Sequence, residues 1–109
     1  MYKIGFASFK LKKEYLSLES GRFEDKQLFE HISQVIELLR FDSEVGAKIK
    51  RRLWPIKYQK YRILNLWKVN LPRGWRLVYT VDTQNGVISI AVLEWFSHKE
   101  YEKRFNYLL

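Results

Sequence analysis

The hydrophobic residues in the N-terminal part of the chain recur with the period of an α-helix. The pattern is clearest over residues 24–40, where the apolar positions are Leu28, Phe29, Ile32, Val35, Ile36 and Leu39. Acidic residues in the first turn of this segment and Arg40 in its last turn suit the helix dipole. A shorter helix is predicted over residues 9–18, before Gly21. The two helices are expected to form a hairpin.

From Ile63 onward the hydrophobic pattern changes to a period of two, which is typical of half-buried β-strands. The strand that begins there ends at a tight turn over residues 71–75. A second strand is predicted over residues 75–81, followed by a turn over residues 82–86 in which Asn-Gly supplies the positive-φ positions. A third strand follows over residues 87–96. These strands predict an antiparallel meander.

Three further segments complete the prediction. Residues 2–9 alternate loosely and predict a short edge strand, whereas residues 97–100 (Ser-His-Lys-Glu) have the form of a capping box that begins a short C-terminal helix. Between the helices and the meander lies a connector in which Trp54-Pro55 prevents a continuous helix. The connector is compatible with a short helical turn or an extended arm. The predicted fold class is α+β, with the helix hairpin packed on a small antiparallel sheet.

Length and composition fit a single globular domain over residues 1–109, with 47% hydrophobic and 29% charged residues. The absence of cysteine excludes disulfides and cysteine-bound zinc. Two histidines, His31 and His98, are too few for a metal site, and no phosphate-binding loop or dinucleotide fingerprint occurs, so no cofactor is expected. No apolar segment is long enough for a membrane span, and no signal-peptide core follows Met1, which predicts a cytoplasmic protein.

The net charge of +8 is concentrated in the middle of the chain. Residues 45–81 contain no Asp or Glu, and their ten basic residues are Lys48, Lys50, Arg51, Arg52, Lys57, Lys60, Arg62, Lys68, Arg73 and Arg76. Such a segment predicts a surface that follows nucleic-acid phosphates. The alternative is a solvated basic face that only favours solubility. Aromatic residues interleave with these charges and can stack on bases, although at strand spacing most of them are expected in the core.

The tight turns predict the register of the meander. Pairing Leu71 with Trp75 places Asn70 opposite Arg76 and sets Lys68 on the same face. Because a shift by one residue would bury these basic side chains, this register is preferred.

Pairing Val81 with Val87 across the second turn places Arg76 opposite Val92, with Glu94 one diagonal step away. On this prediction an open sheet face carries Lys68, Asn70, Arg76 and Glu94. The opposite face, which the helices should cover, carries Trp67, Val69, Trp75, Leu77, Tyr79, Ala91, Leu93 and Trp95. The polar cluster is a candidate site, although Arg76 and Glu94 can also be read as a simple surface ion pair.

The C-terminal segment adds two candidate groups for proton transfer. His98 follows the third strand, and Tyr101 lies three residues later on the same predicted helical face. A histidine near a basic cleft can act as a general acid or base at neutral pH. The alternative is that this histidine is incidental.

Two stretches resemble the RelE/ParE toxin superfamily: residues 61–81, with the motif Gly-Trp-Arg-Leu-Val-Tyr, and residues 92–104. The resemblance implies the RelE-like fold and the toxin component of a type II toxin–antitoxin system. The RelE branch consists of metal-independent ribonucleases that cut mRNA in the ribosomal A site, where the ribose 2′-hydroxyl attacks the adjacent phosphate. Such chemistry needs a base, an acid and cations that stabilise the charge on phosphorus.

Carried over by position, the resemblance implies catalytic roles for four residues. Lys68 and Arg76 would stabilise the phosphate and the transition state, and His98 or Tyr101 would transfer protons. Asn70 stands where the family pattern has a second lysine. The residues implied or predicted to contact RNA are Lys48, Lys50, Arg51, Arg52, Asn70, Arg73, Lys99 and Arg104.

The implied partners are a cognate antitoxin protein, mRNA and the ribosome, with no metal and no membrane. Whether the chain is an enzyme stays open, because an asparagine cannot supply the charge of the missing lysine. The alternatives are a non-catalytic toxin of the same fold, as in the gyrase-poisoning ParE branch, or a nucleic-acid-binding module without cleavage activity.

Overall fold

A computed structural model describes residues 1–105, which form an α+β fold as predicted. The elements in chain order are β1 (Lys3–Phe6), α1 (Phe9–Leu18), α2 (Phe23–Leu39), β2 (Ala47–Lys48), α3 (Ile56–Gln59), β3 (Trp67–Asn70), β4 (Arg76–Gln84), β5 (Val87–Phe96) and α4 (His98–Phe105). Short 3₁₀ turns cover Arg51–Leu53 and Pro72–Gly74. The connector therefore contains both forms that its sequence allowed, a short edge strand and a helical turn.

The helices α1 and α2 form where the period predicts them and pack against each other. The side chain of Ser8 caps α1 by accepting a hydrogen bond from the Leu11 amide at 3.1 Å. Between the helices, the hydroxyl groups of Tyr15 and Ser33 are 2.5 Å apart, and the Tyr15 ring stacks on Phe29 at 4.8 Å. The predicted contact between the two helices is confirmed.

The sheet is mixed, so the prediction of a purely antiparallel sheet is wrong. The strand order within residues 1–105 is β1-β5-β4-β3-β2. The strands β2 to β5 pair antiparallel, whereas β1 runs parallel to β5 at the sheet edge. A period-two pattern predicts a strand but not the direction in which it pairs. The partner of β1 is the last strand, β5, which is far away in the sequence.

One face of the sheet packs on the helices and forms the larger core. The long helix contributes one buried stripe, and β3, β4 and β5 contribute the other side. The buried members are Leu28, Ile32, Val35, Ile36, Leu39, Val69, Leu71, Leu77, Tyr79, Ile90 and Val92. The hydrophobic period of α2 therefore predicts which of its residues are buried, because its apolar face is the one that packs on the sheet.

The opposite face is not fully open, contrary to the prediction. The connector and α4 fold over part of it and bury a second cluster: Trp54, Tyr58, Leu66, Val78, Leu93, Phe96 and Phe105. The remainder borders a groove of about 570 Å³ beside the start of α1. The aromatic residues of the connector are the physical reason, because burying such large rings outweighs leaving this half of the sheet solvated.

The register across the first turn is confirmed, and the register across the second turn is wrong. Asn70 lies opposite Arg76, as predicted. Arg76, however, faces Phe96 rather than Val92, because β4 continues to Gln84 and only the tight turn at Asn85-Gly86 reverses the chain.

A β-bulge opposite Val78 and Tyr79 changes the facing of the last strand. Val78 pairs with Glu94 and Tyr79 pairs with Val92, so Leu93 is the extra residue. Because the turn lies later than predicted, Ala91 is opposite Thr80, and both Ala91 and the bulged Leu93 border the groove on the face away from the helices, which corrects their predicted placement.

The first strand of the meander begins at Trp67 rather than Ile63. Before Trp67, the Asn65 side chain makes the hydrogen bonds to β4 that the main chain makes in a regular strand. The Asn65 carboxamide donates to the Val81 carbonyl at 2.7 Å and accepts from the Val81 amide at 2.7 Å. The Thr80 hydroxyl also donates to the Asn65 carbonyl at 2.7 Å. Residues 63–66 therefore stay attached to β4 without regular strand geometry.

No helix within residues 1–105 is long and apolar enough to cross a membrane.

The packing predicts different effects for two adjacent leucines of α2. Leu39 is fully buried, whereas Leu38 is 57% exposed. We expect Leu39→Ala to lower the free energy of unfolding by about 3 kcal/mol, because it leaves a cavity between α2 and the sheet. Leu38→Ala should change it by less than about 0.5 kcal/mol. Urea unfolding at neutral pH measures both, and equal losses would contradict the described packing.

Candidate active site

The hairpin of β3 and β4 places two cationic side chains on one face of the sheet. Lys68 and Arg76 belong to neighbouring ladder positions, where Lys68 pairs with Val78 and Asn70 pairs with Arg76. Both cations are partly buried. Neither forms an ion pair with a carboxylate of the described residues. Two unneutralised positive charges side by side form a ready site for an anion.

The helix α4 brings Tyr101 onto these two cations. The Lys68 ammonium and the Arg76 guanidinium each lie 5.4 Å from the centroid of the Tyr101 ring. Such cation–π contacts stabilise by about 0.5–2 kcal/mol each, depending on solvent exposure. Three of the four catalytic candidates are thus brought together, from two strands and the C-terminal helix.

The phenol ring of Tyr101 is fixed by its own helix and by the last strand. It stacks on Phe105 with ring centroids 4.5 Å apart, and it lies 6.5 Å from the Phe96 ring. Because Phe105 covers one face and the cations lie over the ring, Tyr101 has no free face for stacking on a base. Its hydroxyl makes no hydrogen bond within residues 1–105, so the polar end of the residue is available to a ligand.

Arg76 is held in a defined position but keeps unused hydrogen-bonding capacity. Its Nη1 donates to the Trp75 carbonyl at 3.1 Å. Its Nε is buried and has no hydrogen-bond partner among the described residues. A guanidinium has five N–H donors, so most of its capacity is free for a phosphate.

His98 makes its described contacts with residues other than Lys68, Arg76 and Tyr101. Its Nε2 is 2.9 Å from a Glu102 carboxylate oxygen one helical turn later, and its side chain is 56% exposed. Its Cβ lies against the turn that contains Gly74. His98 and Tyr101 both lie on α4, three residues apart, as predicted, and His98 also contacts Glu102 one turn along the helix.

Glu94 does not pair with Arg76 but accepts four contacts from other residues. Lys57 Nζ lies 2.6 Å from Oε1, and the Tyr58 hydroxyl donates to Oε2 at 2.5 Å. Arg104 Nη1 lies 2.6 Å from Oε1 and 2.7 Å from Oε2. The carboxylate is only 18% exposed. Glu94 lies one diagonal step from Arg76, as predicted, but its carboxylate binds Lys57, Tyr58 and Arg104 instead.

The environment of Glu94 sets the direction of two pKa shifts. Burial alone would raise the pKa of Glu94, but hydrogen bonds from Lys57, Tyr58 and Arg104 outweigh it and hold this pKa below the ordinary 4.5. Burial, followed by the hydrogen bond to the carboxylate, raises the pKa of the Tyr58 phenol far above its ordinary range. Glu94 is therefore ionised and Tyr58 is neutral at physiological pH.

The residues predicted to contact RNA lie in three places. Lys48 is on the edge strand β2, next to the position opposite Lys68, with its ammonium 6.0 Å from the Trp67 ring. Lys50, Arg51 and Arg52 are exposed in the connector, and Arg51 lies over Trp54 at 5.1 Å. Asn70 and Arg73 are exposed near the turn between β3 and β4, and Lys99 is exposed on α4.

Arg104 has a different environment from the other predicted RNA contacts. Its guanidinium binds Glu94 and lies 4.6 Å from the Phe96 ring centroid, so its charge is neutralised within the protein. This pairing also raises the pKa of Arg104, although burial acts in the opposite direction. One signal for such an arrangement is present in the sequence, namely a single acidic residue in a last strand that is otherwise apolar apart from Ser89. Nothing in the pattern pointed to Tyr58 as its partner.

The described residues contain no group of three or more His, Cys, Asp or Glu side chains that could hold a metal ion. No protein-family model matches the chain. Searches of curated proteins and of solved structures likewise find no significant match. The site is therefore interpreted from its own geometry.

Two glycines with the same backbone conformation test the contact between the turn and α4. Gly74 and Gly86 have φ of 79° and 78°, but a Cβ on Gly74 would lie 2.8 Å from the His98 Cβ, whereas one on Gly86 would meet nothing within 4 Å. We expect Gly86→Ala to cost about 1 kcal/mol of unfolding free energy from backbone strain. Gly74→Ala should cost at least about 1 kcal/mol more, because the clash adds to the strain. Equal losses in urea unfolding would contradict the docking of α4 on this turn.

The lowered pKa of Glu94 predicts a pH-dependent contribution to stability. Because the unfolded chain binds a proton more readily at this group, its stabilisation is fully present above about pH 4.5 and is lost as the pH falls through the folded-state pKa. The stability difference between the wild type and Glu94→Gln should therefore shrink as the pH falls from 7 to 3. Glu37→Gln, at a 68% exposed side chain, provides the control and should show little dependence. A constant difference for Glu94→Gln would be the contrary result.

Proposed function

We propose that the chain is the toxin component of a type II toxin–antitoxin system and acts as a metal-independent endoribonuclease on mRNA. The observation that carries the proposal is the convergence of Lys68 and Arg76 on the Tyr101 ring, at 5.4 Å each. The resemblance of residues 61–81 and 92–104 to the RelE/ParE superfamily supports the same function. The three residues occupy the positions where the resemblance implies a catalytic site.

The cations would stabilise the reacting phosphate. When the ribose 2′-hydroxyl attacks the adjacent phosphorus, negative charge accumulates on the non-bridging oxygens before the bond to the 5′-oxygen breaks. Lys68 and Arg76 carry positive charges without a counterion among residues 1–105, so each interacts more strongly with the more highly charged transition state. The product would be a 2′,3′-cyclic phosphate or, after hydrolysis, a 3′-phosphate.

Proton transfer is proposed for Tyr101, with His98 as the second group. The Tyr101 hydroxyl has no partner within residues 1–105 and lies on the ring that the two cations contact, so it can donate a proton to the leaving 5′-oxygen. His98 would have to leave Glu102 before it could accept the proton of the 2′-hydroxyl.

The basic residues around the site are proposed to bind the RNA backbone. The exposed residues 50–52 extend the positive charge along the connector, whereas Lys48 pairs with Trp67 and lies over its ring, on the sheet face opposite to Lys68. Asn70, Arg73 and Lys99 are proposed to contact the RNA beside the site. The proposed partners are the mRNA on the ribosome and a cognate antitoxin, and the proposed compartment is the cytoplasm.

Asn70 favours a second candidate function. Where the family pattern has a lysine, this position carries a neutral carboxamide opposite Arg76. In addition, Arg104 forms an ion pair with Glu94. Fewer free cations weaken transition-state stabilisation but leave a surface that binds phosphates. The second candidate is therefore a toxin or nucleic-acid-binding module of this fold that acts by binding without cleavage.

Induced expression with primer extension on a reporter mRNA separates the two candidates. The wild type should arrest growth and produce new 5′ ends within translated sequence. Arg76→Ala and Lys68→Ala should each relieve the arrest, with cleavage of a purified ribosome–mRNA complex reduced about 10²-fold or more.

The control is Lys12→Ala, which removes an exposed lysine of α1 outside the basic segment and should stay fully toxic. Growth arrest without new mRNA ends would favour the binding candidate. Undiminished cleavage by Arg76→Ala would refute the proposed site.

A further inference from the structure

The carboxylate of Glu94 joins three parts of the fold. It lies on β5, and it binds Lys57 and Tyr58 from α3 and Arg104 from α4. Each of its two oxygens receives at least two contacts of 2.5–2.7 Å, and Tyr58 is fully buried beside it. These are short, charge-assisted contacts in a largely desolvated setting, where such bonds are strong and directional.

The helix that Arg104 anchors is also the helix that carries Tyr101. The two residues are three positions apart on α4, so they project from neighbouring turns. The Arg104 guanidinium is fixed between Glu94 and the Phe96 ring, and the same Phe96 contacts Tyr101. A displacement of Arg104 would therefore move the Tyr101 ring relative to Lys68 and Arg76.

Hydrophobic packing alone does not fix the position of α4 along the sheet. The helix has eight residues and buries Phe105 fully, while Tyr101 and Arg104 are partly exposed. Apolar contacts are weakly directional, so a helix held by so few of them can slide or rotate. The two hydrogen bonds from Arg104 to the Glu94 oxygens remove that freedom.

We propose that Glu94 is a positioning residue that acts through Arg104 to hold Tyr101 against Lys68 and Arg76. This inference rests on the proposed ribonuclease function for its kinetic consequence, but the placement of Tyr101 is testable without any activity. A carboxylate that only stabilised the fold would leave the geometry of Tyr101 unchanged in the folded protein.

The test uses full-length protein labelled with 3-fluorotyrosine, with the Tyr101 signal identified by its loss in Tyr101→Phe. Glu94→Gln and Arg104→Gln should each shift the ¹⁹F resonance of Tyr101 and leave that of Tyr15, in the helix hairpin, in place. Lys57→Gln is the matched control, because it also removes a cation from Glu94 but lies on α3 rather than α4. It should leave the Tyr101 resonance unchanged.

Cleavage kinetics provide the second measurement, at a temperature where circular dichroism shows all variants folded. Glu94→Gln and Arg104→Gln should lower kcat about tenfold or more while KM changes less than about threefold, since small misplacements of a reacting group are costly. The double variant should be no slower than the worse single variant, because both act on one contact. Lys57→Gln should lower kcat less than either of these variants, because it does not act on α4.

Two results would overturn the proposal. An unshifted Tyr101 resonance in both Glu94→Gln and Arg104→Gln would show that the carboxylate does not place the ring. A shifted resonance with wild-type kcat would show that the placement has no catalytic role. If Glu94→Gln fails to fold, Arg104→Gln carries the same test. If the wild type cuts no RNA, the proposed function fails, and the resonance alone decides whether Glu94 positions Tyr101.

Discussion

One extra residue in the last strand decides how the two layers of this protein meet. The bulge at Leu93, opposite Val78 and Tyr79, turns both Leu93 and Glu94 toward the face that the connector and α4 cover. Without it, the alternation would send one of them into the helix-covered core. There Leu93 would be tolerated and Glu94 would be an unpaired buried charge, which costs several kcal/mol. The bulge therefore allows an otherwise apolar strand to carry a carboxylate that binds two separate elements.

The helical elements and the first turn follow from the sequence because their signals are local. The stripe of α2 predicts its buried face, and the Leu71–Trp75 turn predicts the pairing of Asn70 with Arg76. The bulge and the parallel pairing of β1 depend on contacts between distant parts of the chain. No period in the strand itself encodes them. The predicted partner of Arg76 was wrong because β4 continues to Gln84 before the chain turns and because the bulge adds one further residue.

The candidate site was partly accessible from the sequence for the same reason. Lys68 and Arg76 share a face because a short turn fixes their register, and that information is local. Tyr101 joins them only because α4 folds back over the sheet, and the resemblance rather than the pattern suggested its role. Arg104 was interpreted as an RNA contact, but its partner Glu94 reaches it only through the bulge, which the sequence does not reveal.

Within residues 1–105, the cations near one sheet face differ in whether a carboxylate binds them. On the same sheet face, Glu94 forms ion pairs with Lys57 and Arg104, whereas Lys68 and Arg76 contact the Tyr101 ring and no carboxylate of the described residues. Two neighbouring positive charges without a carboxylate repel each other, and the buried, unpartnered Nε of Arg76 adds a further cost. Unlike the exposed cations of the connector, these two are partly buried, so a positive charge without an ion pair is more costly there, as is common at ligand sites. An incoming phosphate would relieve this cost by supplying the missing negative charge, so the same arrangement that destabilises the free protein favours binding.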